Sequence, residues 1–388
     1  MARLRAVLTT YWKVKEVPEE SGERVMGADC VNVGYWTKLD DGRIECGVCP
    51  RFCKMRPGQR GLCFVRRARE DGAGMELTGY GRSTGFCVDP IEKKPLNHFL
   101  PGSSVLSFGT AGCNLACSFC QNWDISKSRE VARLSALAAP ETIARAAERL
   151  GCASVAYTYN DPVIFMEYAL DTADACRARG VKNVAVTAGF VCDEPRKRLF
   201  AGMDAANVDL KGFTERFYAK RCAGSLEPVL DTLKYLVHET SVWTEITTLL
   251  IPGENDSDEE LDAETQWIAR ELKPDVPLHF TAFHPDYRML ETPPTPPSTL
   301  QRARAIAIRN GLSHVYVGNV HDPARQATLC PTCGARAIAR DGYTITAYAL
   351  DASGACLSCG TRMAGVFAAK PGAWGSRRLA VDIERYAA

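Results

Sequence analysis

The pattern of apolar and polar residues from about Ser104 onward predicts alternating strands and helices. The seven predicted strands are Val105–Phe108, Ser154–Tyr159, Asn183–Ala188, Ala206–Leu210, Val242–Ile251, Leu278–Phe283 and His314–Gly318. The segments with helical spacing are Glu141–Leu150, Pro162–Arg179, Glu227–Glu239, Asp258–Leu272 and Leu300–Asn310. Repeated strand–helix units favour a parallel sheet with right-handed crossovers. The expected fold class is therefore α/β, a partial (β/α)6 TIM-type barrel with parallel strands, and a doubly wound open sheet is the alternative.

Polar residues collect where the predicted strands end. In parallel α/β folds, ligands bind at the carboxyl ends of the strands. Candidate ligand-binding residues are therefore Asn160 and Asp161 after the second strand, Thr187 and Gly189 at the end of the third, Asp209 and Lys211 at the end of the fourth, and His284 after the sixth. Pro252, Gly253 and Asn319 follow other strands and are interpreted as turn residues.

Cysteine is unusually frequent, with 17 residues in a chain of 388. The first residues lack the apolar core of a signal peptide, so we expect a reducing, cytoplasmic location. In such a compartment, closely spaced cysteines indicate metal ligation rather than disulfides. The three groups are Cys46, Cys49, Cys53 and Cys63; Cys113, Cys117 and Cys120; and Cys330, Cys333, Cys356 and Cys359. The single cysteines, interpreted as small buried residues, are Cys30, Cys87, Cys152, Cys176, Cys192 and Cys222.

The central group lies in the loop after the first strand, in the sequence GTAGCNLACSFCQNW at residues 109–123. A structural zinc site normally has four protein ligands. Three thiolates on a cubane [4Fe-4S] cluster instead leave one iron without a protein ligand. That iron can bind the amino and carboxylate groups of a small molecule. A fourth cysteine from elsewhere in the chain would give an ordinary closed cluster, and this alternative stays open.

This Cys-x3-Cys-x2-Cys motif resembles that of the radical SAM (S-adenosylmethionine) superfamily. The wider sequence resembles the AmmeMemoRadiSam radical SAM family, which is similar to pyruvate formate-lyase activating enzymes. The resemblance runs from about Asp41 to Cys359 through the segments CGVCPRFCKMRPGQRGLC, VDPIEKKPLNHFLPG, CNLACSFCQNWDIS, AYTYNDPVIF, NVDLKGFTERFY, LLIPGENDS and HFTAFHPDY. It implies that Cys113, Cys117 and Cys120 hold a [4Fe-4S] cluster that cleaves SAM. The product is a 5′-deoxyadenosyl radical, which takes a hydrogen atom from the substrate.

The resemblance also implies contacts with SAM. Phe119 would pack against the adenine, and Lys211, in the Asp-x-Lys that begins at Asp209, would pair with the carboxylate. Asn160 and Asp161 occupy the place of a Gly-Gly-Glu segment that binds the methionine ammonium in activating enzymes. The family usually has Glu at the second of these positions, so the shorter side chain weakens this assignment.

Two further segments match SAM-binding positions of the family. His284, in FHPDY, corresponds to a histidine that contacts SAM. Thr187 and Gly189 lie in VTAGF, where the family usually has Asn-Gly-Tyr. Ala188 and Phe190 replace the amide and the phenol of that segment, so any polar contact made by the amide is lost.

The two flanking cysteine groups each offer four thiolates. Two Cys-x2-Cys pairs separated by 22 residues form the C-terminal group, which predicts a zinc ribbon, with rubredoxin-like iron as the alternative. The N-terminal group is Cys46-x2-Cys49-x3-Cys53-x9-Cys63, whose spacing does not separate zinc from a second [4Fe-4S] cluster. Zinc as a structural staple is the first choice there, and an electron-relaying cluster is the alternative.

These features predict four ranges: an N-terminal extension (1–40), a Cys-rich metal-binding segment (41–103), a radical SAM core (104–325), and a four-cysteine, zinc-ribbon-like domain with a tail (326–388). Lys93 and Lys94, before the cluster loop, are interpreted either as contacts for an anionic group or partner or as a solvated pair.

A net charge of +1 and the lack of a long apolar run predict neither a nucleic-acid partner nor a membrane. The resemblance implies a protein or peptide substrate, with a Memo-type protein as one candidate, and an electron donor such as a ferredoxin or flavodoxin. A small-molecule substrate is the close alternative. A non-catalytic iron–sulfur and zinc protein for electron transfer or interaction is the alternative function.

Overall fold

The computed structural model describes residues 30–127 and 136–387, so most of the predicted extension, residues 1–29, lies outside the described part. The strands before residue 86 are short. They are β1 (Val31–Val33), β2 (Trp36–Lys38), β3 (Ile44–Cys46), β4 (Lys54–Met55), β5 (Arg66–Ala68), β6 (Met75–Leu77) and β7 (Arg82–Ser83). They form two three-stranded antiparallel sheets, β1-β6-β5 and β2-β3-β4, while β7 belongs to a separate pair. Buried residues of these sheets, such as Ile44 and Met55, belong to the main hydrophobic core.

One large sheet organises the rest of the chain. The later strands are β8 (Phe86–Pro90), β9 (Ser104–Phe108), β10 (Ala136–Leu137), β11 (Ser154–Tyr157), β12 (Lys182–Thr187), β13 (Ala205–Asp209), β14 (Trp243–Leu250), β15 (Leu278–Ala282), β16 (Val315–Gly318), β17 (Thr328–Leu329), β18 (Arg336–Asp341), β19 (Thr344–Tyr348) and β20 (Leu379–Val381). Nine of them pair in the order β16-β15-β14-β13-β12-β11-β9-β8-β20. The run from β9 to β16 is parallel, and β8 and β20 are antiparallel to their neighbours. All seven predicted strands are confirmed, each within two residues of its expected bounds.

Helices connect the parallel strands. They are α1 (Trp123–Ser126), α2 (Pro140–Arg149), α3 (Met166–Arg177), α4 (Asp193–Phe200), α5 (Glu215–Phe217), α6 (Glu227–Glu239), α7 (Asp258–Glu271), α8 (Pro297–Arg309) and α9 (Pro323–Gln326). Shorter turns are the 3₁₀ segments Ile91–Lys93, Pro162–Phe165 and Ile383–Tyr386 and the π-helical segment Tyr218–Cys222. The five predicted helices are present. Helix α4 was not predicted, because its sequence DEPRKRLF is mostly charged and buries only Pro195, Leu199 and Phe200.

The strand order distinguishes the two architectures that the sequence allowed. The parallel strands follow each other in chain order without reversal, whereas a doubly wound sheet reverses at a switch point. Right-handed crossovers then place the helices on one face, as in a TIM barrel. Among the described residues, β16 and β20 form the two edges of the sheet, so the barrel is open. The fold is thus an α/β partial barrel with seven parallel strands.

The segment before the cluster loop covers the inner face of the sheet. Ile91, Leu96 and Phe99 pack against Val105 and other strand residues of that face. The fully buried carboxylate of Glu245, near the start of β14, accepts hydrogen bonds from the backbone N–H groups at positions 97 and 98, at 3.0 and 2.7 Å. This segment therefore closes the amino end of the partial barrel and leaves the carboxyl end for ligands.

Lys93 and Lys94 have a different role from either of those considered for them. Their ammonium groups lie 3.0 and 2.8 Å from the fully buried carboxylate of Asp89. Lys94 is itself buried and lies over the ring of Tyr159. The pair therefore neutralises an internal carboxylate, with Lys94 fully enclosed and Lys93 still partly exposed to solvent.

The C-terminal residues return to this closed end. β17, β18 and β19 form a small antiparallel sheet. The N–H of Val366 donates to the carbonyl of His98 at 2.7 Å, and the N–H of Gly372 donates to that of Pro101 at 2.8 Å. The C-terminal cysteine domain is thus docked at the end of the strands opposite to the cluster loop. None of the helices within residues 30–127 and 136–387 has the length and apolar character needed to cross a bilayer.

Candidate active site

The three-cysteine loop lies at the carboxyl end of β9. Backbone hydrogen bonds hold it against the π-helical segment: the N–H of Ala116 donates to Cys222 O at 2.9 Å, and the N–H of Ser118 donates to Arg221 O at 2.8 Å. The loop is therefore fixed along its length by the protein, as a metal-binding loop requires before its ligands can be presented together.

The sulfur atoms of Cys113, Cys117 and Cys120 are not gathered around one point as in a zinc site. In the described part of the chain, one group of metal-ligating side chains has all its ligand atoms within 4.8 Å of one another. That group is the C-terminal one, and it does not include these three cysteines. The sulfurs of this loop are therefore spread more widely than those around one zinc ion. Thiolates on a cubane bind different iron atoms, so they need this wider spread. Burial raises the pKa of Cys113 and Cys120, so both sulfurs are protonated thiols when no metal is bound.

A fourth sulfur, that of Cys222, lies beside the loop. Its hydrogen bond with Cys117, followed by burial, raises the pKa of the Cys117 thiol well above its usual range. Cys222 is fully buried at the end of the π-helical segment. Its place in the sequence predicts only a single buried cysteine, because more than a hundred residues separate it from the loop and no spacing signal links them.

Asn160 holds the start of the cluster loop. Its Nδ2 donates to the carbonyl oxygen of Gly112 at 2.9 Å and to Oγ1 of Thr110 at 3.1 Å. Its Oδ1 accepts from the backbone N–H of Thr110 at 3.2 Å. All of its amide contacts thus go to the protein, so Asn160 positions the loop that carries the cysteines.

Asp161 ties together the ends of β11 and β12. Its Oδ1 accepts from Thr187 Oγ1 at 2.9 Å and from Val163 N at 3.1 Å, and its Oδ2 accepts from Ala188 N at 2.9 Å. Gly189 N in turn donates to Thr187 Oγ1 at 3.0 Å. Burial raises the pKa of Asp161, although these donors oppose the shift. Asp161 is close enough to Cys113 for their charges to interact, so this network borders the cluster site.

Lys211 brings a positive charge to the same site. Its Nζ lies 2.9 Å from Asp209 Oδ2. Burial alone would lower its pKa, but Asp209 and the thiols of Cys117 and Cys222 together raise it well above the usual value. Lys211 is therefore an ammonium beside the cluster thiols, and it can attract a carboxylate.

The remaining two candidates differ in their positions. Phe119 is buried, with its ring centroid 5.8 Å from that of Phe217, so it forms part of the wall behind the cysteines. His284 is exposed, and its ring is 3.4 Å from the carbonyl of the adjacent Pro285. The structure therefore brings Phe119 into the site and leaves His284 at its outer edge.

Aromatic side chains form the rim next to the loop. Trp123 and Tyr287 stack with their ring centroids 5.5 Å apart, and Trp123 Nε1 donates to Asp286 Oδ1 at 3.1 Å. The guanidinium of Arg288 lies over the ring of Tyr287, 5.1 Å from its centroid. The backbone N–H of Arg288 donates to Ser118 O at 3.1 Å, which fixes the rim to the cluster loop.

The N-terminal cysteine group lies directly behind the cluster loop. A small cavity of about 20 Å³ is lined by Cys46, Cys49, Cys53 and Cys63 together with Asn114 of the loop. A Cβ atom at Gly112 would lie only 1.9 Å from Cys63 O, so the two backbones touch and glycine is required there. This contact joins the two cysteine groups, and the spacing of their motifs gave no sign of it.

The C-terminal cysteine group is compact and can hold a metal ion. The four sulfur atoms of Cys330, Cys333, Cys356 and Cys359 all lie within 4.8 Å of one another. The Cys330–Cys359 and Cys333–Cys356 pairs are 3.6 and 3.9 Å apart. Four thiolates around one tetrahedral zinc ion should be about 3.8 Å apart, as the Zn–S distance requires.

The carboxyl end of this open parallel sheet, with its three-cysteine loop, defines an iron–sulfur enzyme site. A sequence profile of the radical SAM superfamily matches residues 108–264, which contain that loop. An uncharacterized protein of Methanocaldococcus jannaschii is 40% identical over 330 residues, which cover 85% of this chain and 97% of the relative. The chain belongs to the radical SAM superfamily. Membership implies a [4Fe-4S] cluster and SAM as cofactors.

Solved structures of low sequence identity are also similar to the chain. A domain of a pyruvate-formate lyase-activating enzyme from Bacteroides vulgatus ATCC 8482 is 17% identical, with a TM-score of 0.38, and the match covers 43% of this chain and 99% of that domain. A radical SAM methyltransferase from Sphaerobacter thermophilus is 15% identical, with a TM-score of 0.44, and the match covers 75% of this chain and 77% of the other.

Proposed function

We propose that this radical SAM protein modifies or activates a protein or peptide substrate, as members of the AmmeMemoRadiSam family and activating enzymes are expected to do. The observation that carries the proposal is the fixed loop of three widely spaced cysteines at the open end of the barrel, with an ammonium group beside it. Cys113, Cys117 and Cys120 would hold a [4Fe-4S] cluster, which would supply reductive cleavage of bound SAM to a 5′-deoxyadenosyl radical for hydrogen abstraction.

The protein's own residues bind and orient SAM around this loop. The ammonium of Lys211 pairs with the SAM carboxylate, while Asp209 keeps that ammonium in place. Asn160 and Asp161 act mainly by holding the loop and the strand ends, because their polar atoms already have protein partners. Phe119 contributes an apolar wall that excludes water from the cysteines.

The rim supports a macromolecular substrate. Trp123, Tyr287 and Arg288 stand together beside the cluster loop. Tryptophan, tyrosine and arginine are the residues most enriched at the centres of protein interfaces. A Memo-type protein is the candidate partner, and a ferredoxin or flavodoxin is the candidate electron donor. At the C-terminus, the compact group of four cysteines supports zinc as a structural metal.

The test is anaerobic reaction of the reconstituted full chain with dithionite and SAM, followed by chromatography of 5′-deoxyadenosine. Cys117→Ala should lower the rate of its formation at least a thousandfold, because one cluster ligand is lost. Cys222→Ala is the matched control, since its sulfur lies beside Cys117, and its rate should stay within about threefold of the wild type. If Cys222→Ala abolishes cleavage as completely as Cys117→Ala, the cluster has four cysteine ligands and the proposal fails.

The substrate class is tested separately by adding a purified Memo-type protein to the reaction. The expected result is a change in the mass of that protein, coupled to 5′-deoxyadenosine. Trp123→Ala should reduce the coupled product without changing the slow cleavage that occurs without partner. A product on a small molecule and none on the protein would contradict the macromolecular substrate.

A further inference from the structure

We infer that Cys46, Cys49, Cys53 and Cys63 bind a second [4Fe-4S] cluster, which passes electrons to the cluster held by Cys113, Cys117 and Cys120. The identity of the second cluster follows from its own cysteines and cavity. Only its electron-transfer role rests on the proposed function.

The spacing of the sulfur atoms separates a cluster from a zinc ion. Within residues 30–127, no three of the four N-terminal sulfurs lie within 4.8 Å of one another, although the four C-terminal sulfurs do. One zinc ion would hold its thiolates about 3.8 Å apart. A cubane places each thiolate on a different iron and holds them further apart. The four N-terminal sulfurs are therefore not gathered around one point, as those of the C-terminal group are.

The space between the four sulfurs is lined by the ligands themselves. A small cavity of about 20 Å³ is bordered by all four cysteines and by Met55, Val163 and Ile164. Cys46, Cys49 and Cys63 are buried, and Cys53 is half-buried. The lining is therefore suited to an iron–sulfur cluster, because buried apolar walls protect clusters from solvent while thiolates supply the ligands.

The surroundings also compensate a buried negative charge. Arg66 has only 2% of its side chain exposed, and it is close enough to Cys46 and Cys63 to interact electrostatically. Its Nε donates to Ile164 O at 3.0 Å, and its terminal nitrogen lies 2.6 Å from Glu167. Four thiolates in a cavity without a cation would be strongly disfavoured. Arg66 supplies a buried positive charge beside the thiolates, and it shares that charge with Glu167.

The two cysteine groups are in direct contact. Cys63 O abuts Gly112, the residue before Cys113, with no space for a Cβ atom between them. Arg51, which lies between Cys49 and Cys53, donates from Nε to the carbonyl of Asn114 at 2.5 Å and from its terminal nitrogen to that of Ala223. Backbone and side-chain atoms thus connect the second cluster to the first.

The electron balance is simple. A low-potential one-electron donor protein of the ferredoxin or flavodoxin class is oxidised by one electron, and the N-terminal cluster is reduced by one. That cluster is reoxidised when the electron moves to the cluster at Cys113, Cys117 and Cys120. No bond forms or breaks in the protein during this transfer.

Acid-labile sulfide after anaerobic reconstitution gives the sharpest test, because neither zinc nor rubredoxin-type iron contains it. The wild type should hold about eight sulfides per chain, as two cubanes require. The triple variant Cys113→Ala, Cys117→Ala, Cys120→Ala should hold about four, as one cubane requires, and its reduced cluster should give an EPR signal that SAM does not alter. Cys152→Ala, a buried cysteine outside the groups, is the control and should match the wild type.

The other possible outcomes separate the second cluster from the proposed function. A triple variant that holds zinc and no sulfide overturns the second cluster. A triple variant with about four sulfides, together with a wild type that makes no 5′-deoxyadenosine, supports the second cluster and rejects the proposed function. Because the triple variant leaves the N-terminal cysteines intact, the ligands of the second cluster are all present in the measurement.

The electron-transfer role is tested with Cys46→Ala, Cys49→Ala. With reduced flavodoxin as the donor, formation of 5′-deoxyadenosine should fall at least tenfold. With dithionite, a small reductant that can reach the first cluster directly, it should fall less than threefold. Equal losses with both donors, or no loss with either, would overturn the role as a relay.

Discussion

The chain contains two groups of four cysteines that differ in almost every physical respect. The C-terminal sulfurs form a tight set at the closed end of the barrel, with Cys333 and Cys359 exposed. The N-terminal sulfurs are spread around a buried cavity behind the cluster loop, with Arg66 beside them. The number of cysteines is the same, so it does not determine the metal. Sulfur spacing, burial and neighbours decide between a structural ion and a redox cluster.

Breaking the contact between the N-terminal cysteine group and the cluster loop should have the largest effect on activity. Gly112→Ala places a Cβ atom 1.9 Å from Cys63 O, and Gly112 also has a positive φ of 87°, so the two backbones must separate. We expect both clusters to be lost in part and SAM cleavage to fall about a thousandfold, equivalent to about 4 kcal/mol. Sulfide content and 5′-deoxyadenosine formation measure this effect.

Gly180→Ala is the matched control. Gly180 has a φ of 70° and no atom within 4 Å of an added Cβ, so it carries the backbone strain without the clash. It should cost about 1–2 kcal/mol of stability and leave cleavage nearly unchanged. Equal activity losses in the two variants would mean that contact between the cysteine groups is unimportant.

The buried charge of Arg66 belongs to the N-terminal cysteine group and has the second largest expected effect. Arg66→Met leaves Glu167 and the thiolates without their buried cation, so the free energy of unfolding should fall by about 3 kcal/mol. Arg67→Met is the neighbouring control, because Arg67 pairs with Glu76 at a partly exposed position. It should cost less than about 1 kcal/mol. Urea unfolding measures both, and similar values would argue against a charged centre near Arg66.

Disruption of the C-terminal cysteine group should affect stability more than chemistry. Cys359→Ser opens the compact site, which lies at the end of the strands opposite to the cluster loop. We expect a loss of about 2 kcal/mol and a decrease of several degrees in Tm. Cleavage of SAM should stay within about twofold of the wild type. A tenfold loss of cleavage would show that this group contributes to the reaction.

The smallest expected difference between the two cysteine groups is in the reactivity of their thiols in the metal-free protein. The hydrogen bonds of Thr361 and of its backbone lower the pKa of Cys359 to about 6, whereas burial raises that of Cys46 to about 11. At pH 7 Cys359 is therefore mainly thiolate and Cys46 mainly thiol, so iodoacetamide should label Cys359 at least tenfold faster. Lowering the pH to 5 protonates Cys359 and should slow its labelling about tenfold. Mass spectrometry of peptides follows both residues, and a faster reaction at Cys46 would contradict the contrast.

The sequence predicted the central sheet well because its signals are local. Each parallel strand is a short apolar run bounded by turn residues, and the loop cysteines are close together in the chain. Helix α4 gave a weaker signal, since three buried residues among eight do not form a clear apolar stripe. The predicted roles of the SAM-binding residues stay predictions.

Other features depend on distant parts of the chain and could not be predicted. The approach of Cys63 to Gly112 and of Cys222 to Cys117 joins segments with no shared motif. The spread of the N-terminal sulfurs depends on how β3 and β4 turn around the cavity, which motif spacing does not specify. The burial of Lys94 likewise required knowledge of Asp89 and Tyr159 in three dimensions.

Strand β20 has a consequence for the order of synthesis. It pairs with β8 at one edge of the large sheet. The backbone of residues 86–90 is therefore covered on that side only after residues 379–381 have been synthesised. While the ribosome is still translating, β8 offers unpaired backbone groups to any other extended chain. We expect chaperones that bind nascent polypeptides to shield this edge strand. A premature stop codon after the cysteine domain would leave β8 unpaired and prone to aggregation.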